Sequence, residues 1–273
     1  IHPRSPPTRG GCLPDRKLRT NAQVQAFQDD KACECHTAND GYIDTLKAGE
    51  YKDSKCFECF RMSEQIFEYV DELAKQNPTL LTKEAISTTV QGKTIYAYKL
   101  TGGASKSKSL YFQSLLHARE WTAGSSNLYA LSSMLDAIAN KDQTAADSYN
   151  LYFVPIVNID GYDISWNSNR LQRKNANEVD LNRNWPAAFK HWIDKWLKIK
   201  SSELAGCVDV HSYGGGGLVQ YPNRDTTEPI GNDDDEKFKV LGDKVADAAS
   251  STNYKAQTAG SFGVAIGAFV DYI

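Results

Sequence analysis

The stretch that most constrains the fold is His-Ala-Arg-Glu-Trp at 117–121, which follows directly on the apolar run 110–116. The apolar run predicts a buried strand. Where a strand gives way to a helix, a His and a Glu three residues apart can both point to one place. Imidazole and carboxylate groups are zinc ligands, and a catalytic zinc takes three protein ligands plus water. His117 and Glu120 are therefore predicted to be two of the three protein ligands of a metal site, although their spacing alone is a weak signal.

The third ligand is predicted to be His211, which follows directly on the short apolar run 206–210. A lone histidine at a strand end is more often an ordinary core or surface residue. The presence of two other candidate ligands at a second strand end reverses that expectation. The remaining histidines lie in the N-terminal part or on a predicted helix, at His2, His36 and His191.

From residue 62 onward strand-like and helix-like segments alternate, which predicts an α/β fold with helices on both faces of a sheet. The predicted strands cover 94–100, 110–116, 151–157 and 206–210. The predicted helices carry apolar faces at Ile66, Val70 and Leu73; at Leu128, Leu131, Leu135 and Ile138; at Phe189, Trp192 and Trp196; and at Phe238, Leu241, Val245 and Ala248. Ligands of such sheets bind beyond the carboxyl ends of the strands, where both candidate histidines of the metal site would lie.

The N-terminal part has a different composition, with five of the 6 cysteines of the chain in its first 59 residues. We predict a small Cys-rich appendage at 1–55, followed by the main domain at 56–273. Disulfides in an oxidising, extracellular compartment are the favoured interpretation. The alternative is a second metal site with four thiolates, from Cys33, Cys35, Cys56 and Cys59. The remaining two cysteines are Cys12 and Cys207.

Bulk properties exclude some classes of function. The formal net charge of -3 argues against a nucleic-acid partner. No apolar run reaches about 18 residues, so we expect no membrane-spanning helix. The start at Ile1 lacks a signal-peptide pattern and suggests a processed chain.

A local group of cations contrasts with this acidic balance. It covers 169–174 and continues into Asn182 and Arg183. Such a segment is often only a solvated loop, but beside a metal it would attract anionic substrates. An amide next to a guanidinium is also suited to binding a carboxylate in a bidentate manner.

Five ordered motifs, taken together, resemble the zinc metallocarboxypeptidase family to which pancreatic carboxypeptidases A and B belong. The motifs are His-Ala-Arg-Glu-Trp at 117–121, Val-Asn-Ile-Asp-Gly-Tyr at 157–162, Asn-Arg-Leu-x-Arg-Lys at 169–174, Val-Asp-Leu-Asn-Arg-Asn-Trp at 179–185 and Asp-Val-His-Ser-Tyr at 209–213. The resemblance runs from about residue 56 to the end of the chain and implies a single mixed β-sheet. It also implies one zinc ion per chain, because two His and one Glu are the known ligand set of carboxypeptidase A.

The resemblance also implies roles for individual residues. His117, Glu120 and His211 would bind the zinc, and Arg173 would polarise the scissile carbonyl and support the oxyanion. Asn182 and Arg183 would bind the substrate's C-terminal carboxylate. Arg119, Ser212 and Tyr213 would line the neighbouring subsites. Val270 matches the position at the floor of the specificity pocket, and an apolar floor favours apolar or aromatic C-terminal residues.

The family's general base is a glutamate that the resemblance positions beyond Ile273, so we expect a chain that is incomplete at its C-terminus. The function predicted from sequence is a secreted, monomeric zinc carboxypeptidase acting on peptide and protein C-termini. Two alternatives stay open. One is a catalytically silent protein that binds C-terminal peptides, and the other is a related zinc hydrolase of small acyl-amino acids.

Overall fold

A computed structural model of the protein describes residues 34–183, 185, 193–212, 216–219, 233–250, 255–258 and 269. The helices are α1 (Ser63–Gln76), α2 (Trp121–Ala139), α3 (Ile159–Asn167), α4 (Asp194–Lys200) and α5 (Asp233–Ser250). The strands are β1 (Leu81–Thr88), β2 (Thr94–Leu100), β3 (Ser109–Ser114), β4 (Asn150–Val154), β5 (Leu204–Val210), β6 (Gly216–Val219) and β7 (Lys255–Thr258). No helix in the described part is long and apolar enough to cross a bilayer.

Five strands form one mixed sheet in the order β1-β2-β4-β3-β5, and β6 pairs with β7 in a separate parallel pair. The β1–β2 and β2–β4 pairs are antiparallel, whereas β3 is parallel to both β4 and β5. This arrangement confirms the predicted α/β fold with a single mixed main sheet. Because β3 and β5 are parallel neighbours, the residues that follow them leave the sheet at the same edge. That edge is where His117 and His211 begin their approach to each other.

The core forms where the apolar periodicities predicted it. All five residues of β4 are buried, as expected for a strand covered on both faces. The predicted faces of α1 and α2 are buried against the sheet, at Ile66, Val70, Leu73, Leu128, Leu131 and Leu135. Helix α1 ends at Gln76, just before Asn77 and Pro78, because proline is incompatible with a helix interior. Helix α5 forms as predicted, but its Leu241 and Val245 are exposed in the described structure.

Two predicted strands are shorter than expected. β4 ends at Val154, since Pro155 cannot donate to a ladder. β3 ends at Ser114, because Leu115 takes a left-handed backbone conformation with φ 58°. Strand β1 and helix α3 were not predicted, and both lie on segments with weak apolar periodicity.

A disulfide joins Cys35 of the predicted appendage to Cys59 of the predicted main domain, which confirms the prediction of disulfide bonding. The four-thiolate alternative is therefore wrong, because two of its four ligands are consumed. Cys56 is a buried free thiol, and burial raises its pKa to about 12. Cys207 is also free, while Cys12 and Cys33 lie outside the described residues.

The segment before residue 56 packs on the main domain. Tyr51 is fully buried, and its backbone N–H donates to Asp136 of α2 at 2.8 Å. The backbone N–H of Lys52 donates to the second carboxylate oxygen of Asp136 at 2.8 Å. The division of the chain at 55/56 stays a prediction.

Candidate metal centre

The turn between β3 and α2 carries the first two candidate ligands. Its left-handed residue, Leu115, is fully buried, and its carbonyl accepts from the backbone N–H of Asn158 at 3.3 Å. The side-chain Nδ2 of Asn158 donates to the carbonyl of Leu116, also at 3.3 Å. Helix α2 approaches closely because Gly124 has no Cβ, and a Cβ there would lie 2.7 Å from Cδ1 of Leu115. These contacts hold a strained turn in one conformation.

His117 and Glu120 lie side by side at this turn, 4% and 9% exposed. The backbone N–H of Glu120 donates to the carbonyl of His117 at 3.1 Å, so the two side chains emerge on the same side. Nδ1 of His117 is 2.8 Å from Oε1 of Glu120. Nε2 of His117 lies 3.4 Å from Oδ1 of Asp180, within ion-pair distance but without a well-formed hydrogen bond.

His211 reaches the same point from the end of β5. Its Nδ1 lies 2.9 Å from Oε2 of Glu120, and its Nε2 lies 2.7 Å from Oδ2 of Asp209. The two imidazole ring centroids are 4.7 Å apart. One potential ligand atom from each of His117, Glu120 and His211 falls within 4.8 Å of the other two. The structure therefore brings together all three residues predicted as metal ligands.

The electrostatics of the cluster favour charged groups. Burial acts to raise the pKa of Glu120, but hydrogen bonds from His117 and His211 lower it to about 2. Burial acts to lower the pKa of His211, but the charge and hydrogen bond of Asp209, with Glu120, raise it to about 10. Burial likewise opposes ionisation of Asp180, yet the nearby His117 imidazole and the hydrogen bond from Arg173 hold its pKa below the usual range. Because an imidazole must be deprotonated to bind a metal, binding of a cation at this cluster is coupled to loss of a proton.

The donor set fits a zinc ion. Both histidines direct Nδ1 toward the carboxylate of Glu120 and Nε2 toward another carboxylate, Asp180 for His117 and Asp209 for His211. Metal-binding histidines commonly have such a partner on the second ring nitrogen. The sequence analysis missed Asp180 and Asp209 in this role. Their positions within the motifs 179–185 and 209–213 were the available signal.

Arg173 lies beside the cluster, with Nη1 3.3 Å from Nδ1 of His117. Its Nε donates to Oδ2 of Asp180 at 2.9 Å, and its carbonyl accepts from the N–H of Ala118 at 3.1 Å. The guanidinium is therefore anchored at one edge next to the point where the ligand atoms converge.

Asn182 and Arg183 lie next to the second histidine. Nδ2 of Asn182 is 3.4 Å from Nε2 of His211. Its Oδ1 accepts from the backbone N–H of Phe269 at 2.8 Å, which fixes the amide with its N–H groups toward the site. Arg183 is exposed, and its Nη1 donates to the carbonyl of Asn182 at 2.7 Å.

The other predicted substrate contacts are less fully described. Arg119 is exposed, and its carbonyl accepts from Nη1 of Arg170 at 2.8 Å. The backbone N–H of Ser212 donates to Oε2 of Glu120 at 3.1 Å. Tyr213 and Val270 lie outside the described residues.

The described structure is thus a mixed α/β sheet that carries a His-Glu-His candidate metal centre at the carboxyl ends of parallel strands. The sequence profile described as zinc carboxypeptidase matches residues 66–196 of this chain.

Individual relatives of the same kind are also similar to this chain. Human carboxypeptidase A1 is 24% identical over 216 residues, covering 67% of this chain and 51% of that protein. Human carboxypeptidase B2 is 28% identical over 162 residues, covering 55% of this chain and 38% of that protein. The chain thus spans about half or less of the length of these relatives. The crystal structure of carboxypeptidase A from Helicoverpa armigera superposes with a TM-score of 0.75 at 20% identity, covering 92% of this chain and 68% of that one. At that identity the superposition shows the fold alone.

Proposed function

We propose that this protein is a zinc-dependent carboxypeptidase that removes single residues from the C-termini of peptides and proteins. The observation that carries the proposal is the convergence of His117, Glu120 and His211 within 4.8 Å, with the Arg173 guanidinium at its side. A binding site for a cation and an adjacent fixed positive charge are the groups that a metal-dependent peptidase uses to polarise the scissile carbonyl and to stabilise the oxyanion.

His117, Glu120 and His211 would hold the zinc ion through two imidazole nitrogens and one carboxylate. When bound, zinc polarises a carbonyl and lowers the pKa of a coordinated water. Asp180 and Asp209 hold the histidines in orientation from behind.

Arg173 would donate to the carbonyl oxygen of the scissile bond as negative charge develops on it. Its Nε is occupied by Asp180, so the guanidinium does not have to reorganise during the reaction. This anchored geometry supports the role that the family resemblance implies.

Asn182 and Arg183 would bind the terminal carboxylate of the substrate. The Asn182 amide is fixed by Phe269, and the exposed Arg183 adds a charged fork, which together favour bidentate binding. Arg119, Ser212 and Tyr213 would line the neighbouring subsites. A clamp on the chain end determines which peptide bond is presented to the cluster.

The preferred leaving residue is proposed to be apolar or aromatic. The support is Val270, since an apolar floor offers no counter-charge to a buried Lys or Arg side chain. The disulfide Cys35–Cys59 supports secretion into an oxidising compartment.

Binding can be tested on the zinc-loaded chain with a short peptide that ends in Phe and its C-terminal amide, by isothermal titration calorimetry. Charge-assisted hydrogen bonds contribute about 1.5–3 kcal/mol, so the amide should bind roughly tenfold more weakly or worse. Arg183→Ala should remove most of this discrimination, and Arg183→Lys should restore only part of it, because lysine lacks the planar fork. Equal affinity for the two peptides would refute the carboxylate clamp.

Hydrolysis is assayed on the full natural chain, because turnover also needs a general base for the attacking water. We expect release of C-terminal Phe faster than release of C-terminal Lys. Tight binding without turnover in the full natural chain would favour a silent peptide-binding protein. Faster cleavage of an acyl-amino acid than of a longer peptide would favour the small-substrate hydrolase.

A further inference from the structure

A polar layer adjoins the metal cluster on strands β3 and β5. The two strands are parallel, and Gln113 of β3 is in register with Asp209 of β5. Registered residues on neighbouring strands point to the same face at a spacing of about 4.8 Å. The side chains of Gln113 and Asp209 are therefore direct neighbours.

The Gln113 amide has a fixed orientation. Gln113 is fully buried, and its Oε1 accepts from the hydroxyl of Tyr111 at 2.9 Å. Because the oxygen end of the amide faces Tyr111, the Nε2 end carries two N–H donors in another direction. Nε2 is buried and meets no hydrogen-bond acceptor among the described residues.

Within the described structure, Asp209 has a buried acceptor atom that lacks a hydrogen-bond donor. Its Oδ2 is 2.7 Å from Nε2 of His211, but its Oδ1 is buried and meets no donor in the described part of the chain. A buried unpaired donor and a buried unpaired acceptor are each costly. Two such groups on neighbouring residues can satisfy each other directly, after a small side-chain rotation, or through one buried water.

We propose that Gln113 is a positioning residue for the metal ligand His211. Its amide holds one oxygen of Asp209, so that the other oxygen stays on Nε2 of His211. This keeps the proton of the imidazole on Nε2 and leaves the lone pair of Nδ1 for the metal. The inference rests on the proposed function, since it presupposes that zinc binds at this cluster.

The test is the zinc dissociation constant of the full chain, measured by competition with a chromophoric chelator. Asp209→Ala should weaken zinc binding roughly 10- to 100-fold, and Gln113→Leu roughly three- to tenfold. The Gln113→Leu/Asp209→Ala double variant should bind no more weakly than Asp209→Ala alone, because Gln113 acts through Asp209. The visible absorption of the cobalt-substituted protein should shift in Gln113→Leu, which reports on ligand geometry rather than on stability.

Asn150→Ala is the matched control. Asn150 is a fully buried amide at the amino end of the central strand β4, away from the carboxyl strand ends that carry the metal cluster. Its side chain bonds to the backbone of Lys106. This variant should lose stability while keeping the zinc affinity and the cobalt spectrum of the wild-type protein. If Gln113→Leu fails to fold, Tyr111→Phe removes only the hydroxyl that orients the amide, and it should weaken zinc binding about twofold.

Several results would overturn the inference while leaving the metal site intact. The first is an unchanged zinc affinity in Gln113→Leu, or in Tyr111→Phe where that variant replaces it. The second is a double variant whose loss of zinc affinity equals the product of the two single losses. The third is a loss of zinc affinity in Asn150→Ala as large as that in Gln113→Leu. If the wild-type protein itself does not bind zinc, the proposed function fails and this inference fails with it.

Discussion

The two halves of the metal cluster are built differently. His117 and Glu120 come from the interior turn between β3 and α2 and are almost fully buried. His211 comes from β5 at the edge of the five-stranded sheet, and its side chain is 30% exposed. The first half is held by backbone and side-chain bonds from Asn158.

The second half is held by polar contacts of His211 with Asp209 and Glu120, and by the bond from the Ser212 N–H to Glu120. Packing therefore fixes the first two ligands, whereas local polar contacts fix the third. We expect substitutions in the first half to change both the fold and metal binding, and substitutions in the second half to change mainly metal binding.

Ligand removal gives the largest expected effect. His117→Ala and His211→Ala should each weaken zinc binding by roughly 100-fold or more, beyond the effect of losing a hydrogen-bond partner of a ligand. At high salt, which screens the ion pairs of the partly exposed His211, His117→Ala should also lower the free energy of unfolding of the metal-free protein by about 2 kcal/mol. This loss should exceed that of His211→Ala, because removal of His117 leaves a cavity in the interior. Chelator competition and urea unfolding measure the two effects. An equal loss of stability in both variants would break the comparison.

A glycine in each half provides the next test. The Cβ of Gly124→Ala would lie 2.7 Å from Leu115, and the resulting strain should destabilise the protein by about 1–2 kcal/mol, net of the helix propensity gained. The Cβ of Gly206→Ala in β5 would lie 3.3 Å from Cδ2 of Leu110, the flexible end of a side chain. We expect a change within about 0.5 kcal/mol there. Similar unfolding midpoints in urea would contradict the assignment of strain to the first half.

Asn158→Asp separates two roles of one side chain. The carboxylate can still accept from the N–H of Gly161 at the start of α3, but it cannot donate to the carbonyl of Leu116. The loss of one buried hydrogen bond should cost about 1 kcal/mol, with a small fall in zinc affinity. Asn158→Ala removes both roles and should cost about 1 kcal/mol more. If the two variants prove equally stable, the bond to Leu116 contributes nothing to the turn.

The smallest effect is expected far from either half. Lys239 and Asp243 form an exposed pair one helical turn apart on α5. Lys239→Ala should change the free energy of unfolding by less than about 0.5 kcal/mol and leave zinc affinity unchanged. This variant sets the baseline for both measurements, and a loss of zinc affinity in it would show that the assay reports general damage.

The sequence was sufficient to predict that His117, Glu120 and His211 meet, because parallel strands end at one edge of a sheet. It was not sufficient to predict β1, because the polar residues Thr82, Lys83 and Glu84 suit an edge strand but lack the alternation of apolar and polar residues. The carboxylates behind the histidines depend on strand register and loop packing, which local patterns do not encode. The left-handed backbone of Leu115 is equally invisible, since leucine has no preference for that conformation.

The contact between Leu115 and Gly124 has a consequence for how related sequences can diverge. The leucine fills the space that a side chain at 124 would need, so a larger residue at 124 requires a smaller one at 115. An alignment of relatives should show covariation between them, with a small residue at one whenever the other is bulky. A lineage that enlarged position 124 first would pass through a poorly folding intermediate.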